Sequence, residues 1–173
     1  VISFSKTSLV VWLASSTNAF RWRLSDSIVA SSKFFEFFPE TVLTVIDSDP
    51  IDVAASHTKV AILKNAVNFC NRIGITSPKV AVLSATEEVL DSVQSSLEAK
   101  EITELSLKES LKADVFGPLA FDNSVSKKSA AIKGIKNSVA GQADVLLVPS
   151  VETGNGLVKM MIYFMGACAA GVV

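Results

Sequence analysis

VAGQADVLLVPSVETGNGLVK, residues Val139–Lys159, decides the fold. Its centre, Asp144–Val148, runs into aliphatic residues without a polar break, the pattern of a strand buried on both faces. Pro149 ends that strand. Ser150, Glu152, Gly154 and Asn155 then read as a polar turn, and Leu157–Ala170 takes up helical spacing. Strand, glycine-containing loop and helix make half of a βαβ unit. Ligands of open α/β sheets sit in the crevice outside the strands' carboxyl ends. The working surface therefore belongs at Pro149–Asn155 and at the equivalent loops of neighbouring strands.

Working outward, Val42–Ile46 (VLTVI) and Lys79–Leu83 (KVAVL) also read as strands. Asp47 and Ser84 open the polar tails that follow them, and with the tail at Ser150 these should emerge on one edge of a mainly parallel sheet. Between the strands, Thr58–Ile73 is amphipathic: Val60, Leu63, Val67 and Cys70 make one apolar line, broadened by Ile62, Ala66, Phe69 and Ile73. Ser56 or Thr58 can cap its start and Gly74 stops it. His57 lies in the entry turn and reads as exposed. Val89, Leu90, Val93 and Leu97 are expected to form the buried face of a second helix, continued by Ile102–Leu111. Asp114–Ala120 suits a short strand or a tight extended loop. Asp122 or Asn123 can cap a helix from Ser124 to Lys136, whose lysines 127, 128, 133 and 136 make a solvated face or a cationic rim. Asp47-Ser48-Asp49-Pro50 reads as a turn before it reads as a metal or proton site.

The first 40 residues carry the weakest pattern. Leu9–Ala14 is a buried strand or a piece of core helix. Arg21-Trp22-Arg23 is a salt-bridging pair or a phosphate contact, and Phe34–Phe38 (FFEFF) needs a cover. The expected organisation is a remnant of an N-terminal region over residues 1–40 and an α/β core over 41–173.

Composition narrows the function classes. Sixteen basic and 17 acidic side chains give a net charge of −1, which supplies no general pull toward nucleic acid or membrane. Cys70 and Cys168 both lie in apolar helical patterns, with no CxxC pair and a single histidine, so no zinc site of the usual composition is expected. Disulfide-free usage fits the cytosol. Met160–Val173 falls about one third short of the roughly 20 residues that span a bilayer. Neither a Walker phosphate loop nor a Rossmann glycine fingerprint is present.

Four stretches in register carry a resemblance: KVAVLSA (79–85), GPLAFDNSVS (117–126), KGIKNSVAGQAD (133–144) and VLLVPSVETGNGLVK (145–159). Together they resemble the phosphate acetyl/butyryltransferases, nearest the butyryltransferase branch. The resemblance implies an α/β architecture of the isocitrate/isopropylmalate dehydrogenase-like type, usually dimeric. It also implies reversible acyl transfer between CoA and inorganic phosphate through acyl phosphate, with no metal, no cofactor and no covalent enzyme intermediate. The substrate-binding residues it implies are Asp122, Asn123, Lys133, Gly141, Glu152, Gly154, Asn155 and Lys159, with Asp122 also a candidate catalytic group. This chain departs from the family at Ser150, where a carboxylate is usual, at Thr153, where alanine is usual, and at Gly156, where a bulkier residue is usual. Asp26 stands near a position where histidine is common. The family's Ser-Arg pair and a nearby aspartate would fall beyond Val173, so the expectation is a fragment or degenerate copy whose main catalytic groups lie outside it. A non-catalytic acyl-CoA or acyl-phosphate binding module, regulatory or dimerising, is the alternative.

Overall fold

Alternation along two short strands builds both faces of the molecule. Val80 and Val82 of one strand, with Val145 and Leu147 of another, enter a core cluster on one side. Ala81, Leu83, Leu146 and Val148 enter a second cluster on the other. Successive strand side chains point to opposite faces, so an uninterrupted aliphatic run signals burial on both. A computed structural model of the protein describes residues 10–14, 42–46 and 55–165.

Within them lie β1 (Val10–Ala14), β2 (Val42–Ile46), α1 (Ala55–Arg72), β3 (Lys79–Leu83) and α2 (Gln94–Lys108). β4 (Asp114–Leu119), α3 (Phe121–Val125), α4 (Lys127–Ile132), β5 (Val145–Leu147) and α5 (Val151–Met165) follow. The sheet is five-stranded in the order β1-β2-β5-β3-β4. β2, β5, β3 and β4 are mutually parallel, and β1 closes one edge antiparallel to β2, Trp12 opposite Thr44. Of the stretch Leu9–Ala14, the described part, Val10–Ala14, is a strand. The chain leaves β2 for β3 and β4, then returns to insert β5 between β2 and β3. That reversal of direction is where an open α/β sheet forms its crevice.

α1 fulfils its pattern: Val60, Ile62, Leu63, Ala66, Val67 and Cys70 are buried against α2 and the sheet. It ends where Gly74 takes φ +94°, a left-handed conformation that side chains resist. Its start differs from expectation. The helix begins at Ala55, which puts Ser56 and Thr58 inside it rather than at its cap. Ser56 Oγ instead donates to Glu101 Oε2 on α2, at 2.7 Å.

The second helix is shorter than its apolar spacing suggested. Val89 and Leu90 stay outside it and are exposed, and α2 starts at Gln94 after an extended Val93. The cause is Ser96, fully buried. Its hydroxyl donates to Val93 O at 2.7 Å and accepts from Leu90 N–H at 2.9 Å, fixing a turn where helix would otherwise run.

The single helix expected over 124–136 is two short ones. Neither Asp122 nor Asn123 caps a helix: α3 follows Ala120, which makes no side-chain cap bond. α4 is capped by Ser126, whose Oγ accepts from Ser129 N–H at 3.2 Å. Asp122 instead falls in the first turn of α3 and Asn123 inside it.

Asp47, Asp49, Arg21–Arg23, Asp26, Phe34–Phe38 and Cys168 lie outside the described residues. Cys70 is a buried free thiol, pushed up to about 12 by burial and then by the charge of Asp144. No helix among the described residues is long and apolar enough to cross a membrane.

Candidate functional site

Parallel pairing of β5 with β3 and of β3 with β4 sends their polar tails out on one edge. The tails at Ser84 and Ser150 therefore share it, as the patterning requires, with the residues after β4 beside them.

After β3, the Ser84 hydroxyl meets Ser95 Oγ at 2.9 Å, tying the strand end to the start of α2. Glu87, further along this segment, is the point of convergence. Its Oε1 accepts from Lys133 Nζ at 2.7 Å and its Oε2 from Asn123 Nδ2 at 3.4 Å. Loop, α3 and the end of α4 are joined by one carboxylate. The Lys133 ammonium donates a hydrogen bond to Glu87 and holds its carboxyl below the ordinary value. Lys133 is raised by the same bond, and by the charges of Asp122 and Glu88. The cation expected to await a phosphate already has a partner.

Asn123 is fully buried, and its Oδ1 has no hydrogen-bond partner among the described residues. An unmet buried acceptor costs about 1–3 kcal/mol, so such atoms are uncommon without a reason. Asp122, its neighbour, is exposed.

After β5, the expected polar turn does not form. α5 begins at Val151, one residue beyond Ser150, so Glu152, Gly154 and Asn155 lie in its first turns. Ser150 caps it: Thr153 N–H donates to Ser150 Oγ at 3.3 Å and Gly154 N–H to Ser150 O at 3.1 Å. Glu152 is lowered by its own backbone N–H and then by the Ser150 hydroxyl. It meets the positive end of the helix dipole. Gly154 is a buried helical residue rather than a loop glycine.

Gly141 and Lys159 are placed differently from the rest. Gly141 is buried at φ +72°, and a Cβ there would lie 2.5 Å from Lys127 N and Cα. Packing of the 133–144 segment on α4 accounts for this glycine without a ligand. Lys159 is exposed on α5, about 12 Å along the axis from its start at 1.5 Å per residue.

One side chain at this edge escaped the patterning. Lys59 of α1 is 6% exposed; its Nζ donates to Glu98 Oε2 at 2.8 Å and to Pro149 O at 2.7 Å. It thereby ties α1 and α2 to the end of β5. Its signal was its position one turn ahead of Leu63 on the apolar line, where a lysine can be buried only if paired.

The fold recurs in solved proteins. A branched-chain phosphotransacylase from Enterococcus faecalis superposes with a TM-score of 0.74 at 27% identity, over 98% of this chain and 53% of that one. A phosphotransacetylase from Streptococcus pyogenes shares the fold at TM-score 0.70 and 24% identity, over 97% of this chain and 45% of that one. Among curated sequences, a probable phosphate butyryltransferase of Bacillus subtilis is 35% identical over 86% of this chain and 50% of its own length. A phosphate acetyltransferase of Rhizobium meliloti is 41% identical over 65% of this chain and 36% of its own. The chain thus spans half or less of the length of these curated relatives. Residues 23–173 match the family profile described as "Phosphate acetyl/butaryl transferase", and the chain belongs to that family.

Proposed function

We propose that this chain forms part of a phosphate acyltransferase that moves an acyl group reversibly between CoA and inorganic phosphate. The observation that carries the reading is the family match over residues 23–173. Its substrates would be CoA, acyl-CoA, acyl phosphate and inorganic phosphate, with no further cofactor or metal in the chemistry.

In the direction of acyl-CoA synthesis, the thiolate of CoA attacks the carbonyl carbon of acyl phosphate. The S–C bond forms, the bond from the acyl carbon to the bridging oxygen breaks, and inorganic phosphate leaves carrying that oxygen. The thiol proton must go to a base, and Asp122, exposed in the first turn of α3, is the carboxylate we assign to it. Lys133 supplies positive charge toward the phosphate, and Asn123, bonded to the same Glu87 carboxylate, a buried amide. Glu152 and Asn155, exposed in the first turns of α5, and the buried Gly154 beside them line the same carboxyl edge of the sheet. Gly141 and Lys159 shape the surroundings rather than the centre of the cleft.

We further infer a homodimer acting in the cytosol. Met160, Tyr163 and Phe164 are 58%, 78% and 85% exposed on one face of α5, an apolar stripe suited to a partner copy. The disulfide-free composition suits a reducing compartment.

The test is direct. The full-length protein is supplied with butyryl-CoA or acetyl-CoA and phosphate, and acyl phosphate is trapped with hydroxylamine. Acyl phosphate formation that depends on both substrates is the expected result. Its absence, with both acyl-CoAs bound, would favour a binding module and overturn the reading.

A further inference from the structure

We infer that Glu87 is a positioning residue, fixing both the Lys133 ammonium and the Asn123 amide at the carboxyl edge of the sheet. The inference rests on the acyltransferase reading for its kinetic consequences, though not for the contacts themselves.

A carboxylate only accepts hydrogen bonds. With Glu87 Oε2 beside it, the Asn123 side chain must present its NH₂ to Glu87, at 3.4 Å. The same contact turns Asn123 Oδ1 away, and that atom is the buried acceptor with no partner. The orientation of the one buried unsatisfied polar side chain among the described residues thus follows from Glu87.

The other oxygen of Glu87 holds Lys133 at 2.7 Å. Lysine carries its charge on a flexible four-carbon stem and loses much rotamer freedom when fixed. Its side chain is 45% exposed, so packing does not fix it; the bond to Glu87 does. An ammonium has three donors. Glu87 takes one and leaves the others for an anionic ligand. Glu88 and Asp122 also bear on this ammonium, so its surroundings are acidic. Lys133 therefore acts as an aimed donor more than as a diffuse attractor of anions. None of this was visible as a motif, because Glu87 lies 46 residues from Lys133 and 36 from Asn123.

The experiment compares wild type, Glu87→Ala, Glu87→Gln, Lys133→Ala and the Glu87→Ala/Lys133→Ala double variant in the full-length protein. KM for phosphate and kcat are measured with acyl-CoA saturating. Glu87→Ala is expected to raise KM for phosphate about twofold to fivefold, the scale of a partly exposed charge pair. Glu87→Gln should recover only part of that, since its amide oxygen still accepts from Lys133 while its NH₂ turns the Asn123 amide over. On the Lys133→Ala background, Glu87→Ala should raise KM no further. An equal rise in both backgrounds would overturn the inference.

Wild type without turnover would remove the acyltransferase reading and leave this one to a chemical readout. Limited acetylation with acetic anhydride, followed by peptide mass spectrometry, should label Lys133 faster in Glu87→Ala and in Glu87→Gln than in wild type. Unchanged labelling at Lys133, with labelling elsewhere constant, would overturn it without reference to catalysis. If Glu87→Ala fails to fold, Glu87→Gln alone decides the labelling test.

Discussion

The two faces of the sheet are held by different means. On one, α1 and α2 are long helices whose side chains make a single apolar cluster with Val80, Val82, Val145 and Leu147. A buried lysine closes that face at the carboxyl edge. On the other, the 120–144 segment offers only α3 and α4, short helices joined through Ser126, before α5 completes the cover. That second face holds the buried unpaired Asn123 oxygen, the left-handed Gly141 and the exposed stripe of α5. Left-handed residues also follow α1 and α2 on the first face, at Gly74, Ser77 and Ser110. The feature that sets the second face apart is therefore the buried Asn123 oxygen, unpaired among the described residues, the kind of group whose partner can arrive with a ligand. The first face acts as scaffold and the second carries the candidate cleft.

Core truncation is the largest expected test of that contrast. Leu63 is fully buried between helix and sheet, so Leu63→Ala should cost about 4 kcal/mol in urea unfolding. Val158→Ala on α5 should cost clearly less, having fewer atoms to remove and a mostly exposed helix around it. A reversal of that order would break the division into scaffold and cleft.

Next is the buried lysine. Lys59→Ala strands the Glu98 carboxylate and the Pro149 carbonyl, and should cost about 3 kcal/mol. Lys59→Met leaves the same groups unpaired but keeps the stem's packing, so it should fall between wild type and Lys59→Ala. If Lys59→Ala unfolds at the same urea concentration as wild type, the tie between α1 and β5 contributes nothing to the scaffold.

A backbone test on the second face should be smaller. Gly141→Ala introduces a Cβ 2.5 Å from Lys127 backbone atoms at a positive φ, and should cost about 2 kcal/mol. The same substitution at Gly156, whose added Cβ would meet nothing within 4 Å, should be neutral or stabilising in helix α5. Equal effects at the two glycines would show that the fit of the 133–144 segment on α4 is loose.

How far the sequence could be read follows from where each element's information lies. β3 and β5 announced themselves because burial on both faces removes polar residues from the run itself, and β2 because its five residues are β-branched or aliphatic. α1 was visible because its apolar stripe, Val60 to Ile73, is continuous over about four turns at 3.6 residues per turn, and its error was confined to the start. The failures share one cause. Val89 and Leu90 have helical spacing with Val93 and Leu97, but the Ser96 hydroxyl fixes a turn that no periodicity reports. Ser126, rather than Asp122 or Asn123, caps the following helix, and Ser150 caps α5 so early that an apparent loop became its first turns. Single hydroxyls set these boundaries. Within the candidate site, Asp122, Asn123 and Lys133 were singled out on the resemblance to a family, and Asn123 and Lys133 both bond to Glu87, one to each carboxylate oxygen. Glu87 and Lys59 were missed because their partners are far away in sequence and become neighbours only through the sheet order.

The smallest expected effect is also the most specific, and it concerns the pH dependence of the Glu87–Lys133 pair. Glu87 has a folded-state value below its ordinary one, chiefly through the bond from Lys133. The native state therefore binds a proton at Glu87 less readily than the unfolded chain. Its contribution to stability is present above the ordinary carboxylate value of about 4.3, and is lost as pH falls through the lower folded value. Lys133 is shifted the opposite way. Its contribution is present below the ordinary lysine value of about 10.4, and is lost as pH rises through the higher folded value. Wild type should then exceed Glu87→Gln in thermal midpoint by a small, constant margin at neutral pH. That margin should shrink both in acid and in strong alkali. Salt should reduce it as well, because Lys133 is 45% exposed and such pairs are screened. A margin that stays constant into acid would mean that the carboxylate charge of Glu87 has no bearing on how α3, α4 and the loop after β3 are held together.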